Sequence, residues 1–144
     1  KEGTFISEDP IDVLYQDVDI IFPCAVQYVI NEKNASKIKA RFISEGANNP
    51  TTLKGYDALH NIGIKYVPDF LANPGGVIAA FVELTSQVSI EENIKTRAKV
   101  LEAKEQTIEK ITENVQEMVT LIDRYHIRPD EAGSYRALRK ILKL

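Results

Sequence analysis

The sequence has one cysteine among its 144 residues and no large excess of charge of either sign. A single cysteine excludes an intrachain disulfide framework and fits a reducing compartment such as the cytoplasm. No apolar run reaches 18 residues and no signal-peptide pattern is present, so neither membrane insertion nor export is expected. A net charge of −3 gives no sign of a nucleic-acid surface. We therefore expect a cytoplasmic protein without membrane or nucleic-acid partners.

Short apolar segments alternate with helical ones in the first half of the chain. Strands are predicted over 19–22, 41–45 and 64–67, with a further edge strand over 4–6. Helices are predicted over 31–38, with Asn31 as the cap, and over 51–61, ending at Gly63, after one helical turn over 11–15. The alternation predicts parallel pairing through right-handed crossovers. The expected fold class is α/β: a partial Rossmann-like parallel sheet, the second half of a dinucleotide-binding domain over residues 1–90.

From Pro74 onward the sequence is typical of helices. An apolar helix is predicted over 74–89, an amphipathic helix over 91–126, and a last helix from about Pro129. The long helix carries apolar residues at steps of seven: Ile94, Leu101, Ile108, Val115 and Ile122. We expect residues 91–144 to be a C-terminal helical segment that packs back on the domain. A free coiled coil is the alternative, although Arg97 and Lys104 interrupt its seam.

The segment from Asp69 to Val77 leaves a strand and enters a helix through Asn73-Pro74-Gly75-Gly76. The Asn can cap the helix, the Pro suits its first turn, and the two glycines allow a ligand close to the backbone. Similar junctions occur over 20–25 and 41–52. Because ligands of open α/β sheets bind outside the carboxyl ends of the strands, the three junctions are predicted to face one crevice.

These junctions carry three motifs: Pro23-Cys24-Ala25, Glu45-Gly46-Ala47-Asn48-Asn49-Pro50-Thr51-Thr52, and Pro68-Asp69-Phe70-Leu71-Ala72-Asn73-Pro74-Gly75-Gly76-Val77. In order and spacing they resemble the motifs of the glutamate/leucine/phenylalanine/valine dehydrogenase family. The resemblance runs from about Asp17 to the C-terminus. One departure is Pro74, where the family usually has Ala; a first helical turn tolerates it.

The resemblance implies a cofactor, NAD or NADP, and residues that contact it. Asn73 would bind the nicotinamide carboxamide, and Asn48 would face the nicotinamide ribose and the substrate. Pro23, Cys24 and Ala25 would close over the nucleotide, and Gly75 and Gly76 would let it approach. From the residues alone, other roles stay open: a helix cap only for Asn73, a buried turn amide for Asn48, and a small buried side chain for Cys24.

The substrate pocket is predicted to include Asn48, Ala79 and Ala80. Family members that take glutamate usually have Ser at the position of Ala80, where its hydroxyl contacts the distal carboxylate. Members that take leucine or phenylalanine have an apolar residue there. A carboxylate buried against methyl groups would lose its hydration without gaining a donor. The two alanines therefore favour, slightly, an aliphatic or otherwise atypical substrate, with glutamate close behind.

The enzyme implied by the resemblance deaminates an L-amino acid, such as glutamate or a branched-chain amino acid, reversibly to a 2-oxo acid and ammonia, and is expected to be a homo-oligomer. Its glycine-rich fingerprint and its catalytic Lys and Asp would precede Lys1. We therefore expect a C-terminal fragment that carries no catalytic residue and is inert alone. No spacing of Cys, His, Asp and Glu matches a metal site. The alternatives are a non-catalytic dinucleotide-binding or regulatory module and a helical oligomerisation module.

Overall fold

The structure, a computed structural model, describes residues 7–85 and 93–143. Within these ranges three short strands form one parallel sheet, in the order β1 (Ile20–Ile21), β2 (Phe42–Ser44) and β3 (Lys65–Val67). Each strand lies inside the segment predicted for it and is shorter. The parallel pairing and the intervening helix confirm the α/β class.

The register of the sheet gathers apolar side chains on one face. Ile21 pairs with Ile43, Ile43 pairs with Tyr66, and all three are buried. The opposite face is exposed, with Ile20 48% and Phe42 41% accessible. Parallel sheets in globular proteins are normally covered on both faces. Within the described residues, this sheet therefore has one buried face and one face that is exposed at Ile20 and Phe42.

The prediction of a helix over 31–38 is wrong, because only a short 3-10 turn, Ala35–Lys37, forms there. Two asparagine side chains hold the segment in turns instead. Asn31 Oδ1 accepts from the backbone N–H two residues ahead, and Asn34 Oδ1 accepts from the Asn31 N–H at 2.8 Å. Asn34 Nδ2 also donates to the Val29 carbonyl oxygen at 2.7 Å. Such side-chain bonds compete with the helical backbone pattern.

The helix predicted over 51–61 is confirmed as α1 (Leu53–Asn61). The Thr52 hydroxyl caps it by accepting from the Gly55 N–H at 3.0 Å. Gly63, just beyond its end, has a φ of +77°, a left-handed conformation that favours glycine. The predicted helical turn over 11–15 is a 3-10 helix, Pro10–Tyr15. The edge strand predicted over 4–6 lies outside the described residues.

Beyond β3 the described chain is largely helical, with α2 (Asp69–Ala72), α3 (Gly75–Thr85), α4 (Asn93–Tyr125) and α5 (Pro129–Leu142). α2 is a single turn that the sequence did not predict. The predicted helices over 74–89 and 91–126 are confirmed as α3 and α4 as far as the described residues reach, and α5 begins at the predicted proline. None of the helices in these ranges is long and apolar enough to cross a membrane.

α4 and α5 pack against the strand-to-helix junction that follows β3. Gly133 of α5 lies against Phe70 of α2, since an added Cβ would lie 2.5 Å from the ring. A second buried core joins α2, α4 and α5 through Leu71, Met118, Leu121 and Ala132. The C-terminal helices therefore support the short helix that leads to Asn73.

The apolar stripe of α4, with residues at steps of seven, is packed against the second core along only part of its length. Val115 and Ile122 contact the second core, whereas Leu101 and Ile108 are exposed. Ile94 lies in the part of α4 whose side chains are not described. The boundary predicted near residue 90, between the domain and its C-terminal helices, stays a prediction.

Candidate functional site

The carboxyl ends of the three strands lie together, as the sequence predicted. After β1, the Pro23 carbonyl oxygen accepts from the backbone N–H groups of Gly46 at 3.2 Å and Ala47 at 2.8 Å. After β3, Asn73 Nδ2 donates to the carbonyl oxygens of the same two residues, both at 3.3 Å, and to Asn48 Oδ1 at 2.9 Å. The loop after β2 (residues 45–52, here the β2 loop) is thus bonded to both of its neighbours.

The sequence suggested that Asn73 caps α3, but in the structure it does not. It ends α2, with a φ of −113° and a ψ of 19°. Among the described residues, its side chain makes no hydrogen bond to the first turn of α3, and its Nδ2 donates to three oxygens of the β2 loop. In the same part of the chain, Asn73 Oδ1 and Asn48 Nδ2 have no partner. The Asn48–Asn73 pair therefore offers one open acceptor and one open donor.

A shallow cleft of about 410 Å³ lies beside this pair, lined by Ala25, Val26, Gln27, Gly46, Ala47 and Asn48. Cys24 borders the same strand end and is exposed, so the expectation of a buried side chain is wrong. It lies directly against Gly46, where an added Cβ would come within 2.5 Å of Cys24 Sγ. Glycine at this position is what lets the ends of β1 and β2 approach.

The β2 loop is also held by Asp69, the first residue of α2. Asp69 Oδ2 accepts from the Asn49 N–H at 2.8 Å. Asn49 has a φ of +48°, in the left-handed region that Asn enters more readily than most residues. Its carbonyl oxygen accepts from the Tyr28 N–H at 2.8 Å. These bonds fix the loop on both sides of the residue that follows Asn48.

Glu45, at the start of the β2 loop, is completely buried. Its Oε2 accepts from the Tyr56 hydroxyl at 2.6 Å and from the Asp69 N–H at 2.9 Å. Glu45 Oε1 and the Thr51 hydroxyl have no partner of regular geometry among the described residues. Burial raises the pKa of Glu45; the hydrogen bonds from the Tyr56 hydroxyl and the Asp69 N–H oppose the rise, and the Asp69 charge adds to it. Sequence reasoning missed this buried acid, whose one signal is a Glu directly after an apolar strand.

A second tyrosine and acid lie behind the first. The rings of Tyr56 and Tyr66 stack with their centroids 4.9 Å apart, and the Tyr66 hydroxyl donates to Asp130 Oδ1 at 2.6 Å. Arg128 donates to Asp130 Oδ2 at 3.0 Å. Burial raises the pKa of both tyrosines above the usual range, and the bonded acids add to the effect. This network connects α1, β3 and α5 and does not touch the cleft.

The predicted residues of α3 lie in different surroundings. An added Cβ at Gly75 would lie 3.1 Å from Thr107 Cγ2, so Gly75 allows α3 and α4 to approach. Ala79 lines a groove of about 790 Å³ between these helices. Gly76 faces open space, and Ala80 is exposed. Neither alanine lines the cleft that Asn48 borders, and their binding roles stay predictions.

Comparison with known proteins relates the whole chain to one family. The model of the glutamate/leucine/phenylalanine/valine dehydrogenase family matches residues 1–143. The NADP-specific glutamate dehydrogenase of Saccharolobus shibatae is 45% identical over 88 residues, which are 61% of this chain and 20% of that protein. The glutamate dehydrogenase of Aeropyrum pernix is 36% identical over 126 residues, 84% of this chain and 28% of that protein.

Solved structures agree with this at the level of the fold. The L-tryptophan dehydrogenase of Nostoc punctiforme matches with a TM-score of 0.75 at 24% identity, over 93% of this chain and 37% of that one. The chain spans between 20% and 28% of the two curated relatives. The family match extends over almost every residue and includes the three motifs at the strand ends. The chain therefore belongs to the glutamate/leucine/phenylalanine/valine dehydrogenase family.

Proposed function

We propose that this chain forms the nicotinamide side of an NAD(P)-dependent amino-acid dehydrogenase, which converts an L-amino acid reversibly to a 2-oxo acid and ammonia. The Asn48–Asn73 pair at the strand ends is the observation that carries the proposal. Its open donor and open acceptor are complementary to a carboxamide, the polar group of a nicotinamide ring, which has one acceptor oxygen and a donor nitrogen. Family membership supplies the reaction class.

The residues at the strand ends fit a dinucleotide. The β2-loop side of the cleft carries the small residues Gly46 and Ala47 besides Asn48, and a Cβ added at Gly46 would collide with Cys24. Ala25, Val26 and Gln27 form the β1 side of this cleft, and Pro23 and Cys24 lie next to it against Gly46. Gly76 leaves the backbone open at the start of α3, whereas Gly75 acts through helix packing. When bound, the nicotinamide supplies the hydride acceptor.

The contribution of this chain to the reaction is orientation. Asn48 and Asn73 would hold the carboxamide and so would set which face of the ring meets the substrate. Correct placement of two reacting groups can lower a barrier by several kcal/mol, about 7 to 11 in well-oriented cases. The resemblance assigns proton transfer to a Lys and an Asp that are not part of the three motifs of this chain. No residue of the chain is proposed as catalytic.

We propose L-glutamate as the substrate and NADP as the cofactor, since the two relatives described above are glutamate dehydrogenases and one of them is NADP-specific. Ala80 favours the aliphatic alternative, because its methyl group offers no donor to a second carboxylate. A cytoplasmic location and a homo-oligomeric state remain predictions from the sequence.

Two other functions predict different behaviour. A non-catalytic dinucleotide-binding or regulatory module would use the same Asn48–Asn73 pair without turnover. A helical oligomerisation module would use the stripe of α4, of which Leu101 and Ile108 are exposed, whereas Val115 and Ile122 pack into the second core of this chain.

The test is a steady-state assay of the intact protein that contains this chain. Formation of reduced NADP and NAD is measured with L-glutamate, L-leucine, L-valine and L-phenylalanine. The proposal predicts amino-acid-dependent reduction, with the highest kcat/KM for glutamate and NADP. A preference for leucine or valine would support the Ala80 argument. Dinucleotide binding without turnover for any amino acid would instead support the regulatory module.

A further inference from the structure

We propose that Glu45 and Asp69 form a reciprocal clamp between the β2 loop and α2, and that Asp69 is a positioning residue for the nicotinamide. The clamp would set the separation and rotation of the Asn48 and Asn73 amides. This inference rests on the proposed function and deepens it, because it names residues that act on the cofactor through the asparagine pair.

Two hydrogen bonds of opposite direction make the clamp. Glu45, in the β2 loop, accepts from the backbone N–H of Asp69 at 2.9 Å. Asp69, in α2, accepts through Oδ2 from the backbone N–H of Asn49 in the β2 loop at 2.8 Å. Each acid therefore holds the backbone of the other segment. Hydrogen bonds to carboxylates are shorter and stronger than those between neutral groups, so the two segments are held at a defined distance.

Both asparagines are connected directly to this clamp. Asn48 immediately precedes Asn49, whose N–H is bound by Asp69. Asn73 is tied to Asp69 on the other side, since its backbone N–H donates to the Asp69 carbonyl oxygen at 2.8 Å. A shift of Asp69 is therefore transmitted to both amides at once. Their own contact, from Asn73 Nδ2 to Asn48 Oδ1, spans 2.9 Å and depends on that alignment.

The two acids differ in what supports them. Glu45 is completely buried and is fixed by the Tyr56 hydroxyl, so it serves as the rigid half of the clamp. Asp69 is only partly buried and takes no part in either apolar core. Its carboxylate can therefore be removed without opening a cavity, which makes Asp69 the better position for a test.

Three variants of the intact enzyme separate positioning from stability. Asp69→Ala removes the bond to Asn49, and Asp69→Asn keeps an acceptor oxygen in the same place. Asp57→Ala is the matched control, because Asp57 forms an ion pair with Arg128 that also joins two elements but lies outside the cleft. For each variant, kcat and KM for NADP and glutamate are measured, together with the thermal midpoint.

The clamp predicts that Asp69→Ala lowers kcat at saturating NADP, by about tenfold to a hundredfold, because a ring misplaced by even 1 Å reacts much more slowly. Asp69→Asn should recover most of this loss, and Asp57→Ala should leave kcat at the wild-type value. Equal kcat in Asp69→Ala and Asp57→Ala would overturn the clamp while the proposed function stands. Failure of Asp69→Asn to exceed Asp69→Ala would also overturn it. A wild-type enzyme without turnover would overturn the proposed function, and the clamp with it.

Discussion

A hydrogen bond of 2.9 Å joins the side-chain amides of Asn73 and Asn48, which lie 25 positions apart in the sequence. It connects the end of α2 with the β2 loop and so spans two strand ends of the parallel sheet. The bond uses one donor and one acceptor and leaves one of each for a ligand. The proposed nicotinamide site is therefore a property of two loops together, and of the residues that align them.

Asn73→Ala should lower kcat of the intact enzyme more than it lowers stability. The variant loses its contacts with the β2 loop, and one net hydrogen bond contributes about 1 kcal/mol to folding. The loss of ring orientation acts on the rate in addition. Asn73→Asp should be worse, because it places a carboxylate against three oxygens.

The control for this comparison is Asn61→Ala, at the exposed end of α1. Urea midpoints and kcat at saturating NADP are measured for all three variants. If the rate of Asn73→Ala falls only in proportion to its unfolded fraction, the residue has a structural role and nothing more.

Gly46→Ala should destabilise the junction of β1 and β2, and Cys24→Ala should relieve part of the damage. The added Cβ would lie 2.5 Å from Cys24 Sγ but 3.5 Å from Cys24 Cβ, so the sulfur is the main obstacle. Overpacking of this kind costs about 1 to 3 kcal/mol. A double-mutant cycle by urea denaturation should give a loss smaller than the sum of the single losses. Strict additivity would show that the two residues do not collide.

Glu45→Gln should gain stability relative to the wild type as the pH rises from acid to neutral. Burial raises the pKa of Glu45 in the folded state above the ordinary value of 4.5, and the facing Asp69 carboxylate adds to the rise. The contribution of Glu45 to stability is thus fully present below pH 4.5 and is lost as the pH rises through the folded pKa. A Gln side chain cannot ionise and escapes that loss.

This pH dependence is measured as the difference in urea midpoint between the two proteins, from about pH 4 to pH 8. Asn61→Ala is the control, since its difference from the wild type should not change with pH. A difference for Glu45→Gln that stays constant, or that changes in the opposite direction, would show that Glu45 ionises normally in the folded protein.

Tyr56→Phe and Tyr66→Phe form a matched pair. Each removes a hydroxyl that donates to a buried acid at 2.6 Å and keeps a ring of the stacked pair. Both should lower the thermal midpoint by similar amounts. Only Tyr56→Phe removes a hydrogen bond that fixes Glu45, so it alone should reduce kcat at saturating NADP. Equal effects of the two variants on kcat would argue against a special role of Glu45.

The sequence predicted the elements that depend on local patterns and missed those that depend on distant partners. Apolar runs predicted the three strands, and Gly63 predicted the end of α1, whereas the cap at Thr52 was not predicted. The prediction of a helix over 31–38 failed because the side chains of Asn31 and Asn34 accept hydrogen bonds from nearby backbone N–H groups. α2 is a single turn, too short for helical periodicity to reveal.

In the candidate site, too, local patterns predicted some features and distant contacts determine the others. Its location at the strand ends follows from parallel topology, which local patterns predict. The bond of Asp69 to Asn49 and that of Tyr56 to Glu45 join residues 20 and 11 positions apart, and no periodicity encodes them. The exposure of Cys24 and the partners of Asn73 likewise depend on how the β2 loop is folded. Motif resemblance located these residues without giving their contacts.

The most direct test of the central claim compares the intact protein with the isolated 144-residue chain in one assay of NADP and NAD reduction by L-glutamate. If this chain orients the nicotinamide, the intact protein should turn over, its Asn73→Ala variant should lose much of its kcat, and the chain alone should show no turnover. Turnover by the isolated chain, free of contaminating enzyme, would contradict the assignment of this chain to the orienting side of the site. So would an active intact protein whose kcat is unchanged by Asn73→Ala.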